Sequence, residues 1–149
     1  MAFLKGKAPA TFDAKGRVSL PAKYRRLLPE DLVVAISPDE DFPALVVYTQ
    51  EGFEKWTDEI LVSKGGYRAN NKSHDQLIDK YVQDSEDVDV DSVGRILIPS
   101  DLRGKAKINK DVMFSGARDH LVIRSIAIWQ EYQKALAMVT VYDENPIQA

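Results

Sequence analysis

Asp13-Ala14-Lys15-Gly16-Arg17-Val18-Ser19-Leu20-Pro21-Ala22-Lys23-Tyr24-Arg25 returns farther along the chain as Asp91-Ser92-Val93-Gly94-Arg95-Ile96-Leu97-Ile98-Pro99-Ser100-Asp101-Leu102-Arg103. Asp, Gly, Arg, Pro and Arg hold the same places in both stretches, and Val18/Ile96, Leu20/Ile98 and Tyr24/Leu102 are apolar in both. The order persists downstream. Asp31-Leu32-Val33-Val34 resembles Asp111-Val112-Met113-Phe114, Leu45-Val46-Val47 resembles Leu121-Val122-Ile123, and Phe53-Glu54-Lys55-Trp56 resembles Trp129-Gln130-Glu131-Tyr132. An ordered series of matches of this kind marks a duplication.

Each copy reads as strand, turn, strand and short helix. Ala8, Ala10 and Phe12 alternate with Pro9, Thr11 and Asp13, a period-2 pattern that predicts a strand with one buried face. Gly16 supplies the positive φ of a tight hairpin turn. Beyond it Val18 and Leu20 face inward and Arg17 and Ser19 outward, so Asp13 and Arg17 emerge together on either side of one turn. Pro21 ends the strand and suits the first position of a helix, with Tyr24, Leu27 and Leu28 on its apolar face. The second copy repeats this, with Val88, Val90, Ile96 and Ile98 inward, Gly94 at the turn and Pro99 opening the helix. Two further strands are expected after each element, over 32–37 and 44–48 and over 112–115 and 120–124. A longer helix then follows each pair, capped by Thr49 or Ser125, with Phe53, Trp56 and Ile60, or Trp129, Tyr132 and Leu136, on one face. Gly65-Gly66 stops the first of these helices. Ser73-His74-Asp75-Gln76 fits a capping box opening a middle helix with Leu77, Ile78, Tyr81 and Val82 inside, and residues 140–149 read as a frayed tail. One copy alone is small for a core, which predicts a jointly built interior with the halves related by a pseudo-twofold axis.

Composition narrows the class of function. The chain has 149 residues, 44% of them hydrophobic, which supports a packed interior. It has no cysteine, which excludes disulfides, zinc–thiolate sites and thiol nucleophiles. No uninterrupted apolar run is longer than that at 32–36, far below the ~20 residues of a membrane helix, and the first residues lack the apolar stretch of a secretory signal. The expectation is a cytoplasmic protein. Net charge is −3, yet the charges are unevenly placed. Lys5, Lys7, Lys15, Arg17, Lys23, Arg25 and Arg26 crowd the first stretch, and Arg95, Arg103, Lys105, Lys107 and Lys110 a later one, with acidic sequence between. At 0.15 M salt, exposed charges more than ~8 Å apart are largely screened, so a phosphate would respond to the local patch.

The doubled D-x-x-G-R-x-x-x-P-x-x-x-R element closely resembles the MraZ family, among the swapped-hairpin, AbrB-like DNA-binding proteins. The likeness spans roughly residues 3–136. It implies an α+β fold: a β-rich double swapped-hairpin barrel with flanking helices, divided as residues 7–54 for the first repeat, 55–84 for a helical connector, 85–128 for the second repeat and 129–149 for a C-terminal helix and tail. It also implies a transcriptional regulator that represses a cell-division and cell-wall gene cluster, its own gene included. Such a regulator binds double-stranded DNA at direct repeats upstream of that operon as a ring-shaped homo-oligomer associated with the nucleoid. The D-x-x-x-R positions fall on Asp13 with Arg17 and Asp91 with Arg95, the motif lysine on Lys15, and the later arginine on Arg25 and Arg103. Two departures stand out. Position 93 is Val where a polar residue is usual, and the middle helix offers only Arg68, Lys72 and Lys80 against Asp75 and Asp79.

Arginine can hold guanine O6 and N7 as a bidentate fork, worth roughly 1–3 kcal/mol of discrimination. A merely structural exposed Asp–Arg pair contributes only about 0–1 kcal/mol, a weak reason to set one beside a Gly turn twice. Arg17 and Arg95 are therefore the expected readers of DNA. Asp13 and Asp91 orient them, and Lys15, Lys23, Arg25 and Arg103 join them at the interface, with Lys5, Lys7 and Arg26 as phosphate contacts. The acidic run Asp84-Ser85-Glu86-Asp87-Val88-Asp89-Val90-Asp91 is better explained by strand alternation than by calcium, because a calcium loop begun at Asp87 would place Ser92 and Ile98 where Gly and Glu are needed. His74 and His120 stand apart, and no phosphate loop or nucleophile elbow occurs. No metal, cofactor, small-molecule substrate or catalytic activity is expected. Two rival readings are a ring-forming scaffold without specific DNA binding and an antitoxin-type autoregulator. The latter needs a disordered toxin-binding tail longer than residues 140–149.

Overall fold

The computed structural model describes residues 3–62 and 71–140. The first copy runs β1 (Lys7–Thr11), β2 (Arg17–Ser19), α1 (Ala22–Arg25), β3 (Asp31–Ile36), β4 (Leu45–Thr49) and α2 (Gln50–Val62). After α3 (Lys72–Tyr81) the second copy repeats the order with β5 (Glu86–Asp89), β6 (Arg95–Leu97), α4 (Ser100–Lys105), β7 (Asp111–Gly116), β8 (Leu121–Ser125) and α5 (Ile126–Leu136). Gly65, Gly66 and Arg68 lie outside the described residues, as does the tail from 141 onward. The fold is α+β, as expected.

The strands pair across the copies. β1 does not lie against β2 as an ordinary hairpin would. It pairs antiparallel with β7 of the second copy, from Lys7 opposite Ser115 to Thr11 opposite Asp111. β5 in turn pairs with β3 of the first copy, Asp31 opposite Asp89 and Leu32 opposite Val88. The result is one six-stranded antiparallel sheet in the order β1-β7-β8-β4-β3-β5, and β2 pairs with β6 in a separate two-stranded ribbon. The halves are interlocked. A simple hairpin read from local alternation is corrected here, because period 2 reports which face a residue takes and is silent about which strand lies alongside.

The main core lies between the six-stranded sheet on one side and the ribbon with α1 and α4 on the other. Leu32, Val34, Leu45, Val47, Val112, Phe114, Leu121 and Ile123 come from the sheet, and Val18, Leu20, Ile96, Ile98, Tyr24 and Leu102 from the opposing layer. Both copies contribute to it, which answers the small-domain problem. Val88 is buried, and Val90 packs against the same cluster. The opposite face of the sheet buries Ala35, Ala44, Val46, Tyr48 and Val122 beneath Phe53 and Trp56 of α2. Tyr48 stacks on Trp56 at 5.3 Å between centroids. On the same side Arg124 is buried, with its guanidinium 3.8 Å from the centroid of Tyr132 in α5.

The caps follow the sequence with one exception. Thr49 Oγ1 accepts from Gly52 N at 3.0 Å, and Ser125 Oγ from Ile128 N at 3.2 Å. The middle helix opens on Asn71 rather than on Ser73: Asn71 Oδ1 accepts from Ser73 N and His74 N. Asn accepts two orphan amides there, which places Ser73 inside the first turn. Leu27, Val82 and Leu136, expected inward, are exposed: Leu27 lies past the end of α1 at Arg25, Val82 is the C-cap of α3, and Leu136 is the last residue of α5. Pro21 and Pro99 sit at the N-cap, one position before the helix. No described helix is long and apolar enough to cross a membrane.

Candidate nucleic-acid interface

Each of the two turns is organised around one carboxylate. Asp13 Oδ1 accepts from the backbone N–H groups of Lys15 and Arg17, both at 2.9 Å, and Oδ2 accepts from Arg17 Nε at 2.8 Å. Asp91 repeats the set with Val93 N at 3.0 Å, Arg95 N at 2.8 Å and Arg95 Nε at 2.8 Å. Backbone bonds close each turn, from Gly16 N to Asp13 O at 3.1 Å and from Gly94 N to Asp91 O at 3.0 Å. The glycines take φ of +83° and +87°, a region that costs a side chain roughly 1–2 kcal/mol. The amide of Arg17 does most to hold the Asp13 carboxyl below its ordinary value, with the Arg17 side chain adding to it against some desolvation. Arg95 does the same for Asp91.

This geometry fixes what the arginines can do. The aspartate takes Nε, so Nη1 and Nη2 of Arg17 and of Arg95 have no hydrogen-bond partner among the described residues. The two arginine side chains are 33% and 34% exposed. Each is held at its base and open at its tip. A guanidinium anchored in this way keeps two parallel N–H donors for a base edge or a phosphate, with less side-chain entropy left to lose.

The ribbon sets both forks on one surface. Arg17 lies opposite Leu97 and Ser19 opposite Arg95, with Val18 and Ile96 paired between them. Val18 and Ile96 are buried beneath the ribbon, so Arg17, Ser19, Arg95 and Leu97 share its outward face. The two arginines are diagonal neighbours, with Cβ atoms about 7–8 Å apart in such an arrangement, about two base-pair steps of ~3.4 Å.

The copies also brace one another's turns. Leu20 N donates to Gly94 O at 2.9 Å and Ile98 N to Gly16 O at 3.0 Å. Arg25 lies over Gly94 and donates through Nη2 to Ser92 O at 3.3 Å. Arg103 lies over Gly16, where a Cβ would come within 2.8 Å of its Nη2, and its Nε donates to Ile98 O at 3.0 Å. Sequence reasoning placed both arginines at the interface and missed this cross-copy contact. Its one signal was that each stands eight residues after the fork arginine (17 to 25, 95 to 103).

The lysines differ in freedom. Lys15 stands exposed at the tip of the first turn with its ammonium unpaired among the described residues. Lys23 is engaged: its Nζ donates to Lys7 O at 2.8 Å and lies over the Tyr24 ring at 5.1 Å. Beside the first turn runs a groove lined by Asp13, Ala14, Arg103, Asn109 and Lys110. Lys110 thus joins the first turn from the second copy, a placement that no local pattern reveals. The acidic residues Glu86, Asp87 and Asp89 stand exposed on the edge strand β5, where charge discourages further strand pairing. Among the described residues no three His, Asp or Glu side chains gather as metal ligands.

Two exchanged strands, a shared ribbon and a pair of Asp-braced arginine turns define a duplicated swapped-hairpin protein. A family model described as "MraZ protein, putative antitoxin-like" matches residues 3–65 and 83–144. A Caldanaerobacter subterraneus protein named transcriptional regulator MraZ is 35% identical over 135 residues, covering 89% of this chain and 87% of its own length. Proteins of the same name from Thermoanaerobacter sp. and Mycolicibacterium smegmatis are 36% and 33% identical, with coverage of 87% and 83% of this chain and 85% and 81% of theirs. The chain belongs to the MraZ family.

Proposed function

We propose that this protein is a sequence-specific DNA-binding transcriptional regulator whose readers are Arg17 and Arg95. One observation carries the reading: two guanidinium groups, each tied through Nε to an aspartate and open at both Nη, stand on one exposed ribbon face. A bare structural ion pair gives no reason for that repetition, whereas a guanine edge or a phosphate does. Lys15 and Lys110 add phosphate-binding charge around the first turn, and Arg25 and Arg103 stiffen both turns from behind.

In this reading the halves are related by a pseudo-twofold axis through the ribbon. The protein represses its own operon, a cell-division and cell-wall cluster, and works on the nucleoid. One protomer covers few base pairs, so a homo-oligomer, ring-shaped in this proposal, engages several direct repeats at once and gains avidity without new contacts. The names borne by its relatives support regulation of transcription. The test is a gel-shift titration across a salt series on DNA upstream of the protein's own gene, with wild type, Arg17→Ala and Arg95→Ala. Both variants should weaken binding while leaving the fold intact by circular dichroism. Two variants that bind as tightly as wild type at every salt concentration would remove the proposal and leave the ring-forming scaffold as the better reading.

A further inference from the structure

We infer that Leu97 reads the C5 methyl of a thymine adjoining the guanine held by Arg17, so that the two halves of the ribbon recognise different chemistry. The inference rests on the DNA-binding reading above and adds a specificity residue to it.

Leu97 is 56% exposed on the ribbon's outward face, where its companions are two arginines and a serine. A lone exposed leucine needs no explanation. This one occupies a defined place. It lies directly across from Arg17, and directly opposed side chains have Cβ atoms about 4.5–5.5 Å apart. A base edge reached by the Arg17 fork therefore brings the next base pair of the stack, 3.4 Å along, over the Leu97 isobutyl group. In the major groove the apolar group that a base pair offers is the thymine methyl. Across from Arg95 the corresponding place holds Ser19, whose hydroxyl donates or accepts. Arg17 with Leu97 thus favours guanine beside thymine, and Arg95 with Ser19 leaves the neighbouring base open.

Charge selects the occupant. A second copy of this chain docking face to face would bring its own Arg17 and Arg95 against these, and opposed like charges cost affinity. A polyanion carrying apolar methyls on its base edges meets both the forks and the leucine.

The experiment uses the full chain and a duplex selected by the wild-type protein from a random pool. Each thymine is replaced singly by deoxyuridine, which removes only the methyl, and affinity is read by fluorescence anisotropy. Wild type should lose about fourfold at one thymine next to a guanine, the effect of one buried methyl-sized group, and little elsewhere. Leu97→Ser should bind the thymine duplex about as weakly as wild type binds the deoxyuridine one, and should no longer tell the two apart. The scan with wild type alone decides the matter even if that variant folds poorly. Indifference of wild type to every deoxyuridine, with Arg17→Ala still impaired, overturns the role of Leu97 and spares the DNA-binding reading. A pool that yields no preferred sequence, or an unimpaired Arg17→Ala, overturns both. A Leu97→Ser protein of altered assembled size that still senses the methyl assigns the leucine to self-association, which also overturns the inference.

Discussion

The turn at residues 13–17 and the turn at residues 91–95 share one skeleton and differ in almost everything that skeleton does not require. Both keep the aspartate, the left-handed glycine and the arginine, because three hydrogen bonds to one carboxylate and a positive φ specify them. The positions free to vary have diverged: Lys15 and Ser19 in the first copy stand where Val93 and Leu97 stand in the second. A cation and a hydroxyl have been exchanged for two exposed apolar side chains. Geometry is held in common, and the chemistry displayed around it differs between the copies.

The largest effect that could break this comparison comes from the forks. Arg17→Ala should weaken specific DNA binding about ten- to a hundredfold, the range expected when a bidentate guanine contact worth roughly 1–3 kcal/mol is lost. Arg95→Ala should lose less, because the acidic edge strand and Val93 leave its turn with fewer auxiliary contacts. The opposite order in a gel-shift titration would reverse the ranking of the two copies. Asp13→Ala should approach the Arg17→Ala loss although a carboxylate is repelled by phosphate, since the fork loses its anchor. Additive losses in the Asp13→Ala, Arg17→Ala double-mutant cycle would show that the aspartate does not act through the arginine.

Stability separates the glycines. Gly16→Ala should cost about 1–3 kcal/mol in a urea titration, and more than Gly94→Ala. A Cβ at position 16 meets the carbonyl of Ile98 at 3.2 Å as well as Arg103, whereas at position 94 the nearest atoms all belong to the movable Arg25 side chain. Equal costs would show that φ alone matters. The salt dependence of binding gives a finer test: Val93→Lys should steepen the slope of log K against log salt by about one and Lys15→Ala should flatten it by about one.

The smallest effect is that of acid. Asp13 and Asp91 titrate below the usual 3.8 in the folded protein. Their stabilisation is therefore complete above that value and is lost as pH falls through the depressed one. The stability gap between wild type and Asp13→Ala should be constant from pH 7 to 5 and narrow below pH 4. A gap unchanged in strong acid would contradict the carboxylate's part in the turn.

Much of this was legible in the chain because it is local. Period-2 alternation located the strands, Gly16 and Gly94 the turns, and Thr49 and Ser125 two of the caps. The Asp–Arg pairing at a spacing of four followed from the turn between them. What local pattern could not reach depends on distant neighbours. The exchange of β1 and β5 leaves the alternation of each strand unchanged, so it was implied by the family resemblance alone and by nothing within either strand. Arg25 and Arg103 look like free cations until the other copy's glycine is placed beneath them, and Lys110 reaches the first turn only through the pairing of β1 with β7. Asn71 lay two residues before a serine that fitted the capping pattern equally well.

The partner strands also govern how the chain can acquire its shape. Thr11 bonds Asp111 across a separation of 100 residues, and among the described residues β1 has no sheet neighbour other than β7. At a ribosomal rate of about 5–20 residues per second, several seconds pass before that neighbour exists. During this delay the half made first waits with its sheet unfinished. High contact order of this kind slows folding, so the interlock that steadies both arginines in the finished protein obliges the nascent chain to remain open until its second half arrives.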